Sequence, residues 1–190
     1  MGEIVLIRHG ETEWSVGRRH TSVTDVDLTD AGVRQAAAVA TAVRERTFVA
    51  VVSSPRRRAL RTAELAGLTP TEVTEDIAEW NYGEYEGVTT ADIHATFDPH
   101  WNLWTDGCPG GETPAQIGAR IDALLGRVAP LLDGGDVALV AHGHSLRVTG
   151  ARWIGLPPAD GGLLMLDTAT ISVLGFEHGR RAIHRWNAPA

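Results

Sequence analysis

An arginine and a histidine, Arg8 and His9, stand side by side directly after the apolar run 4–7 near the start of the chain. Arginine presents a planar, permanently charged fork that matches the oxygens of a phosphate group. Histidine is a nucleophile and a proton carrier near neutral pH. The triplet Arg8-His9-Gly10 therefore indicates phosphoryl transfer to a histidine nitrogen, and the competing interpretation is a surface loop in which the pair is accidental.

Two further apolar runs end in residues of matching chemistry. The run 48–52 is followed by Ser53, Ser54 and an arginine-rich segment, and the run 136–141 is followed by His142. In a parallel α/β sheet the carboxyl ends of the strands gather at one edge, and ligands bind there. We therefore expect these polar groups to join the arginine–histidine pair in one site.

The arginine-rich segment offers four candidates for a second phosphate contact, namely Arg56, Arg57, Arg58 and Arg61. Spacing alone does not identify the one that turns inward, and a solvated helix face is the alternative for all four. His142 is a candidate to donate a hydrogen bond to the same phosphate, because it precedes a helix start and such starts favour anions. A buried histidine bonded to its neighbours is the alternative there.

A departing alkoxide needs a proton, and the loop 79–87 holds three glutamates, Glu79, Glu84 and Glu86. A carboxylic acid donates near neutral pH only when burial or neighbouring charge raises its pKa. Glu79 stands beside Trp80, which indicates partial removal from water. Surface charge is the alternative for each of the three glutamates.

Alternating strands and helices must position these groups. The hydrophobic pattern predicts strands over 3–7, 48–52, 72–77, 136–141, 169–177 and 181–186. It predicts helices over 30–46, 56–66 with Pro55 at the first position, 90–96, 114–132 and 145–154. This alternation is typical of an α/β fold whose parallel sheet is covered on both faces, and the closing hairpin adds one antiparallel strand. We expect one domain over 1–190, and the irregular segment 98–113 is long enough to indicate function.

The amino-acid composition excludes several classes of function. The net charge of −7 argues against general binding to nucleic acid. All 17 basic residues are arginine, so a P-loop lysine and Schiff-base chemistry are excluded. Cys108 is the single cysteine, and no intrachain disulfide is expected. With no apolar run of membrane-spanning length and no secretion segment, the sequence predicts a cytoplasmic protein that does not bind membranes.

Four motifs follow one another along the chain: Arg8-His9-Gly10-Glu11-Thr12, Ser54-Pro55-x-x-Arg58-Ala59-x-x-Thr62-Ala63, Glu79 ahead of Tyr82-Gly83-x-x-Glu86-Gly87, and His142-Gly143. Together they resemble the histidine phosphatase superfamily in its phosphoglycerate-mutase-like branch. The resemblance implies a three-layer α/β/α sandwich and a phosphohistidine mechanism without metal or cofactor. It implies that His9 is the nucleophile and Glu79 the general acid. Arg8, Arg58 and His142 become the phosphate pocket, and Arg58 is thus selected by the resemblance.

Four other stretches resemble a subgroup that includes fungal sedoheptulose-1,7-bisphosphatase and bacterial acid phosphatases of mutase-like fold. They are Trp14-Ser15, the loop 79–87, Trp104-x-Asp106-Gly107-Cys108 with Gly111-Glu112-Thr113, and Ala141-His142-Gly143-His144-x-Leu146-Arg147. This resemblance suggests a small phosphorylated sugar or a similar metabolite as substrate. Mutases commonly carry asparagine where this chain has Ser15, so a phosphate contact by that shorter side chain is an open question. The full set of expected substrate-binding residues is Ser15, Thr21, Trp80, Asn81, Tyr82, Trp104, His144 and Arg147.

Three functions compete on this sequence. A phosphatase and a cofactor-dependent phosphoglycerate mutase share the attack of His9 on a phosphomonoester and differ in what next accepts the phosphoryl group. We favour the phosphatase, because 190 residues leave little chain for the closing segments of a mutase. The third candidate is a non-catalytic, phosphate-binding regulatory module, which the intact set of motifs argues against. The expected partner is a small phosphorylated substrate, with a homodimer as a possible assembly.

Overall fold

The computed structural model describes residues 1–190 and contains one mixed sheet of six strands. In chain order the strands are β1 (Ile4–Arg8), β2 (Phe48–Ser53), β3 (Glu72–Val73), β4 (Asp136–Ala141), β5 (Thr170–Glu177) and β6 (Arg180–Pro189). They lie in the order β3-β2-β4-β1-β5-β6. Only β5 runs against the others, since it pairs antiparallel with both β1 and β6 while every other pair is parallel. The prediction of a mainly parallel sheet with one antiparallel strand is confirmed.

Seven α-helices accompany the sheet: α1 (Glu13–Val16), α2 (Asp30–Val43), α3 (Arg57–Leu65), α4 (Thr90–Thr96), α5 (Leu103–Asp106), α6 (Pro114–Val128) and α7 (Gly143–Trp153). Successive side chains of a strand point to opposite faces, and β1 shows the consequence. Its Leu6 packs in an apolar cluster with α6 and α7, whereas Val5 packs in a second cluster with α2 and α3. Helices thus cover both faces, which confirms the three-layer α/β/α sandwich. No helix is long and apolar enough to cross a membrane.

Several predicted boundaries are wrong. The helix predicted over 30–46 ends at Val43. The strand predicted over 72–77 ends at Val73, because the Thr74 side chain accepts a hydrogen bond from the Asp76 N–H and starts a 3₁₀ turn. Pro55 does not open α3, because Ser54 Oγ accepts from the Arg56 N–H and holds this segment in a turn. The helix predicted to reach 132 ends at Val128 and continues as a 3₁₀ turn.

The sheet brings three strand ends to one edge. Arg8, the last residue of β1, lies opposite Ala141 of β4, and Ser53 of β2 lies opposite Val140. The loop that leaves β1 is pressed against the start of α2, where a Cβ on Gly10 would lie 2.4 Å from the carbonyl oxygen of Gly32. Glycine is therefore required after His9, and the expected convergence of polar strand ends is confirmed.

Candidate active site

His9 is 5% exposed and begins the loop after β1. Its Nδ1 lies 2.7 Å from the carbonyl oxygen of Gly10, so Nδ1–H donates and Nε2 keeps its lone pair. Burial lowers the pKa of His9 well below its usual value, and the positive charges of Arg58 and Arg8 lower it further. The imidazole is therefore neutral at physiological pH, with Nε2 ready to act as a nucleophile.

Arg8 lies next to the nucleophile and is held by few groups. One terminal nitrogen donates to the carbonyl of Leu166, and the buried Nε has no partner within the protein. The guanidinium packs against Gly143, where a Cβ would lie 3.3 Å from Arg8 Cζ. An unpaired buried donor is costly unless a ligand or water completes it. Apart from the bond to Leu166, the terminal nitrogens of Arg8 have no partner in the protein, and they remain available to an anion in the cleft that Arg8 lines.

Arg58 is the arginine of its segment that turns inward, and it is fully buried. Its Nε donates to Nδ1 of His142 over 3.2 Å, and its terminal nitrogens donate to the carbonyls of Thr21 and Thr24. The other candidates form exposed or half-exposed ion pairs, which are Arg56 with Glu75, Arg57 with Asp27 and Arg61 with Glu64. Among the four arginines, Arg58 is thus both the one that the structure buries and the one that the family resemblance selects.

His142 lies behind His9, with the two ring centroids 5.2 Å apart. Because its Nδ1 accepts from Arg58, its Nε2 carries the proton and donates to Ser54 Oγ over 2.7 Å. Burial lowers the pKa of His142 well below its usual value, and the charge of Arg58 adds to the effect. His142 and Arg58 are both fully buried behind the wall of the cleft, which includes Arg8 and His9 themselves. Their expected phosphate contacts stay a prediction.

Glu79 lies in the cleft wall at the start of α7 and is 8% exposed. Its Oε1 accepts from the backbone N–H groups of Trp80 and Ser145, and its Oε2 accepts from that of His144. Each carboxylate oxygen has two lone pairs, so these bonds leave one open position on Oε2. The N–H donors fix the orientation of the carboxyl group and leave that position for an exchanging proton.

Glu79 is largely removed from water, and desolvation by the Trp80 ring itself stays a prediction. The Trp80 indole does not line the cleft; it is fully buried and donates from Nε1 to the carbonyl of Glu112 over 2.9 Å. Three backbone amides surround the Glu79 carboxyl group, one from Trp80 and two from α7. The neighbouring Asn81 is exposed, and its Oδ1 accepts from the Gly83 N–H within the turn. The structure brings neither Trp80 nor Asn81 to the cleft, because both hold the loop together.

The site opens into a cleft of about 1000 Å³. The other substrate-binding candidates all line it, and they are Ser15, Thr21, Tyr82, Trp104, His144 and Arg147. The hydroxyl of Ser15 is already used, because it accepts from the Thr12 N–H and donates to the Thr12 carbonyl in a capping box. Ser15 therefore supports α1, and a phosphate contact would require it to give up these bonds.

Arginines outside the catalytic candidates also face the cleft. Arg147 lies 4.5 Å from the ring centroid of Trp104 and donates to the carbonyls of Gly161 and Gly162. Arg18 and Arg19 also line the wall, and neither forms an ion pair. Sequence reasoning did not select these two or His20, which lines the cleft as well; their only signal was their place in the long loop between α1 and α2.

Buried neutral histidines give the fold a defined pH dependence. Burial lowers the pKa of four cleft histidines, which are His9, His20, His142 and His144. Below pH 6.5 the unfolded chain binds protons that the folded chain excludes, so the stability falls as the pH falls. We expect the free energy of unfolding to fall from pH 6.5 downward, by about 1.4 kcal/mol per pH unit for each histidine that stays neutral.

Urea denaturation at pH 7.5, 6.5, 5.5 and 4.5 measures this slope. The variant His144→Asn should reduce the slope, whereas His178→Asn should leave it unchanged because His178 is exposed in the turn before β6. A stability that is flat between pH 7.5 and 4.5 would contradict burial of neutral histidines.

A known protein family matches nearly the whole chain. The family model of the histidine phosphatase superfamily (branch 1) matches residues 4–189. The chain belongs to the histidine phosphatase superfamily. The family membership agrees with the arrangement of His9, Arg8, Arg58, Glu79 and His142 near one edge of the sheet. The protein is therefore an enzyme of the phosphatase type.

Named relatives of this histidine phosphatase differ in activity. An acid phosphatase of Mycobacterium tuberculosis is 46% identical over 95% of this chain and 89% of the relative. Sedoheptulose 1,7-bisphosphatase of Saccharomyces cerevisiae is 35% identical over 80% of this chain and 67% of the relative. A probable phosphoglycerate mutase, GpmB, of Proteus mirabilis is 30% identical over 98% of this chain and 90% of the relative. A solved Mycobacterium tuberculosis structure with 43% identity superposes with a TM-score of 0.95 and covers 99% of this chain and 98% of its own.

Proposed function

We propose that this histidine phosphatase hydrolyses small phosphomonoesters without a metal ion, through a phosphohistidine on His9. The observation that carries the proposal is the neutral His9 ring, whose Nδ1 is bound to Gly10 and whose Nε2 lone pair lies beside Arg8. In the first step Nε2 attacks phosphorus, the bond from phosphorus to the ester oxygen breaks, and Glu79 protonates the departing oxygen. In the second step water attacks phosphorus, Glu79 takes its proton, and inorganic phosphate leaves as the phosphorus–nitrogen bond breaks.

Arginines supply the charge that this reaction requires. Phosphoryl transfer passes through a loose transition state whose negative charge lies on the equatorial oxygens, so positioned cations are the main catalytic contribution. Arg8 lines the cleft, and the buried Arg58 donates from its Nε to Nδ1 of His142. No group of three or more histidine, cysteine, aspartate or glutamate side chains is arranged to bind a metal ion. The proposal assigns the direct phosphate contact to Arg8, and Arg58 contributes its positive charge from behind the cleft wall. A contact by His142 requires its Nε2–H to leave Ser54 Oγ.

The cleft favours a small phosphorylated metabolite, with a sugar phosphate or sugar bisphosphate as the proposed substrate class. A volume of about 1000 Å³ accommodates such a molecule beyond the phosphate. Arg147, stacked on Trp104, stands where a second anionic group can be bound. The names of the relatives, which include a sugar bisphosphatase, support this class.

Removal of the Arg147 side chain should separate bisphosphates from monophosphates. We expect Arg147→Ala to raise KM for fructose 1,6-bisphosphate about tenfold or more, because a charge-assisted hydrogen bond is lost. The KM for fructose 6-phosphate should change less than about threefold. Steady-state release of phosphate measures both, with the exposed Arg61→Ala as the matched control. An equal loss on both substrates would remove Arg147 from the account of specificity.

Hydrolysis and mutase chemistry are separated by what accepts the phosphoryl group. The enzyme is incubated with 3-phosphoglycerate, with and without 2,3-bisphosphoglycerate as primer, and both free phosphate and isomer are quantified. We expect phosphate release from a panel of phosphomonoesters and no primer-dependent isomerisation. Isomerisation that needs the primer and releases little phosphate would overturn the proposal in favour of a mutase.

A further inference from the structure

His20 is a buried polar side chain that the proposed reaction does not use. Only 8% of His20 is exposed, yet the residue forms part of the cleft wall. Its Nδ1 is closed off from the cleft and forms no hydrogen bond of normal geometry, although the Val88 carbonyl that accepts from the His20 backbone N–H also acts on the ring. No protein group hydrogen-bonds its Nε2, and this nitrogen is the one left for a ligand in the cleft. A buried side chain with an unused hydrogen-bonding nitrogen gains a bond when a ligand supplies one.

His144 lies across from His20, with the ring centroids 6.4 Å apart and the planes inclined by 35°. Tyr82 packs against both rings, with its ring centroid 4.7 Å from that of His20 and its hydroxyl 2.6 Å from Nδ1 of His144. Burial raises the pKa of Tyr82 well above its usual value, so the phenol keeps its proton and donates it to Nδ1. The proton of the neutral His144 ring is then on Nε2, and no protein group accepts it. His144 thus offers a fixed donor.

We propose that His20 and His144, with Tyr82 as the residue that positions His144, form a subsite for a hydroxyl group of the substrate. The inference rests on the proposed phosphatase function and specifies its substrate class as a polyhydroxylated, sugar-like phosphomonoester. A hydroxyl both donates and accepts, and bonds of about 2.8 Å on either side fit between two imidazoles at this separation. The ligand is bound through neutral groups, because burial lowers the pKa of both histidines.

The subsite is coupled to the reacting end of the substrate by the backbone. The N–H of His144 binds Oε2 of Glu79, the oxygen left open for the exchanging proton. A substrate hydroxyl bound by the His144 ring therefore belongs to the leaving group that receives this proton. Aromatic rings of Trp101 and Trp104 lie 5.5 Å from His20 and 5.2 Å from His144, and they provide apolar faces for a sugar. Anionic groups have separate partners in the arginines of the cleft.

Sugar phosphates compared with alkyl phosphates of the same carbon number test the subsite. Ribose 5-phosphate is compared with pentyl phosphate, and glucose 6-phosphate with hexyl phosphate. We expect the wild-type enzyme to prefer the sugar phosphates in kcat/KM by about tenfold or more. His20→Phe keeps an aromatic ring and removes both nitrogens, so it should lower kcat/KM for the sugar phosphates far more than for the alkyl phosphates and abolish most of that preference.

Tyr82→Phe removes only the hydroxyl group. It tests the subsite independently if His20→Phe does not fold. It should raise KM for the sugar phosphates with little change in kcat, and NMR of the imidazole should show that His144 no longer holds its proton on Nε2 alone. His178→Asn, remote from the cleft, is the control. Equal losses on sugar and alkyl phosphates, or a wild-type enzyme without preference, would overturn the subsite.

Failure of the phosphatase proposal has a different signature. In that case the wild-type protein releases phosphate from none of the four esters. Calorimetric titration of ribose 5-phosphate and pentyl phosphate into wild type and His20→Phe then tests the subsite directly. Tighter binding of the sugar phosphate that is lost in the variant supports it, and equal affinities in both proteins refute it.

Discussion

Replacement of His9 by alanine is expected to lower kcat for every phosphomonoester by at least about 10⁴-fold, because the variant has no nitrogen to accept the phosphoryl group. The arginines proposed to bind the phosphate remain, so KM should change far less than kcat. Phosphate release is measured with p-nitrophenyl phosphate and with a sugar phosphate. A His9→Ala protein with full activity would show that the proposed nucleophile is wrong.

The covalent intermediate gives an independent measurement on the same variant. Wild-type enzyme quenched in alkali during turnover of a ³²P-labelled ester should carry label in an acid-labile form, as a phosphorus–nitrogen bond requires. His9→Ala should carry none. The fold is expected to survive the substitution, since His9 belongs to neither apolar cluster, and thermal unfolding checks this point. His178→Asn is the matched control for the loss of an imidazole elsewhere.

The second large effect is expected from Glu79→Gln, and it should depend on the leaving group. Alkyl phosphates leave as strongly basic oxygens that need a proton, so kcat should fall about 10²- to 10⁴-fold. p-Nitrophenyl phosphate leaves as a stabilised anion and should lose much less. Steady-state kinetics on both esters measures the difference, and an equal loss on both would argue against the acid role.

The hydrogen bonds of Glu79 determine which contacts a glutamine at this position can still form. Its amide oxygen can replace Oε1 as acceptor for the N–H groups of Trp80 and Ser145, but its NH₂ group meets the N–H of His144 as a second donor. A moderate loss of stability is therefore expected alongside the kinetic effect. Because that loss is common to both esters, the ratio of their kcat values still reports proton transfer alone.

Much of the fold could be predicted from local patterns. Apolar runs of strand length alternate with helical stripes, and this alternation indicates a parallel sheet with helices on both faces. The carboxyl ends of parallel strands share an edge, so the meeting of Arg8, His9, Ser54 and His142 also follows. The predicted strand over 72–77 failed because a single hydrogen bond between Thr74 and Asp76 ends it, and a pattern of residue types does not reveal that bond.

The sequence by itself determined His9 as the candidate nucleophile, the sheet edge that holds it and the family to which the chain belongs. Tertiary structure alone decided the directions of side chains in the loops. Trp80 turns away because Glu112, far along the chain, accepts its N–H, and Arg58 turns inward because the carbonyls of Thr21 and Thr24 receive it. His20 is left without a partner in the cleft. The physical reason is that a loop side chain follows its long-range hydrogen-bond partners, which no local period encodes.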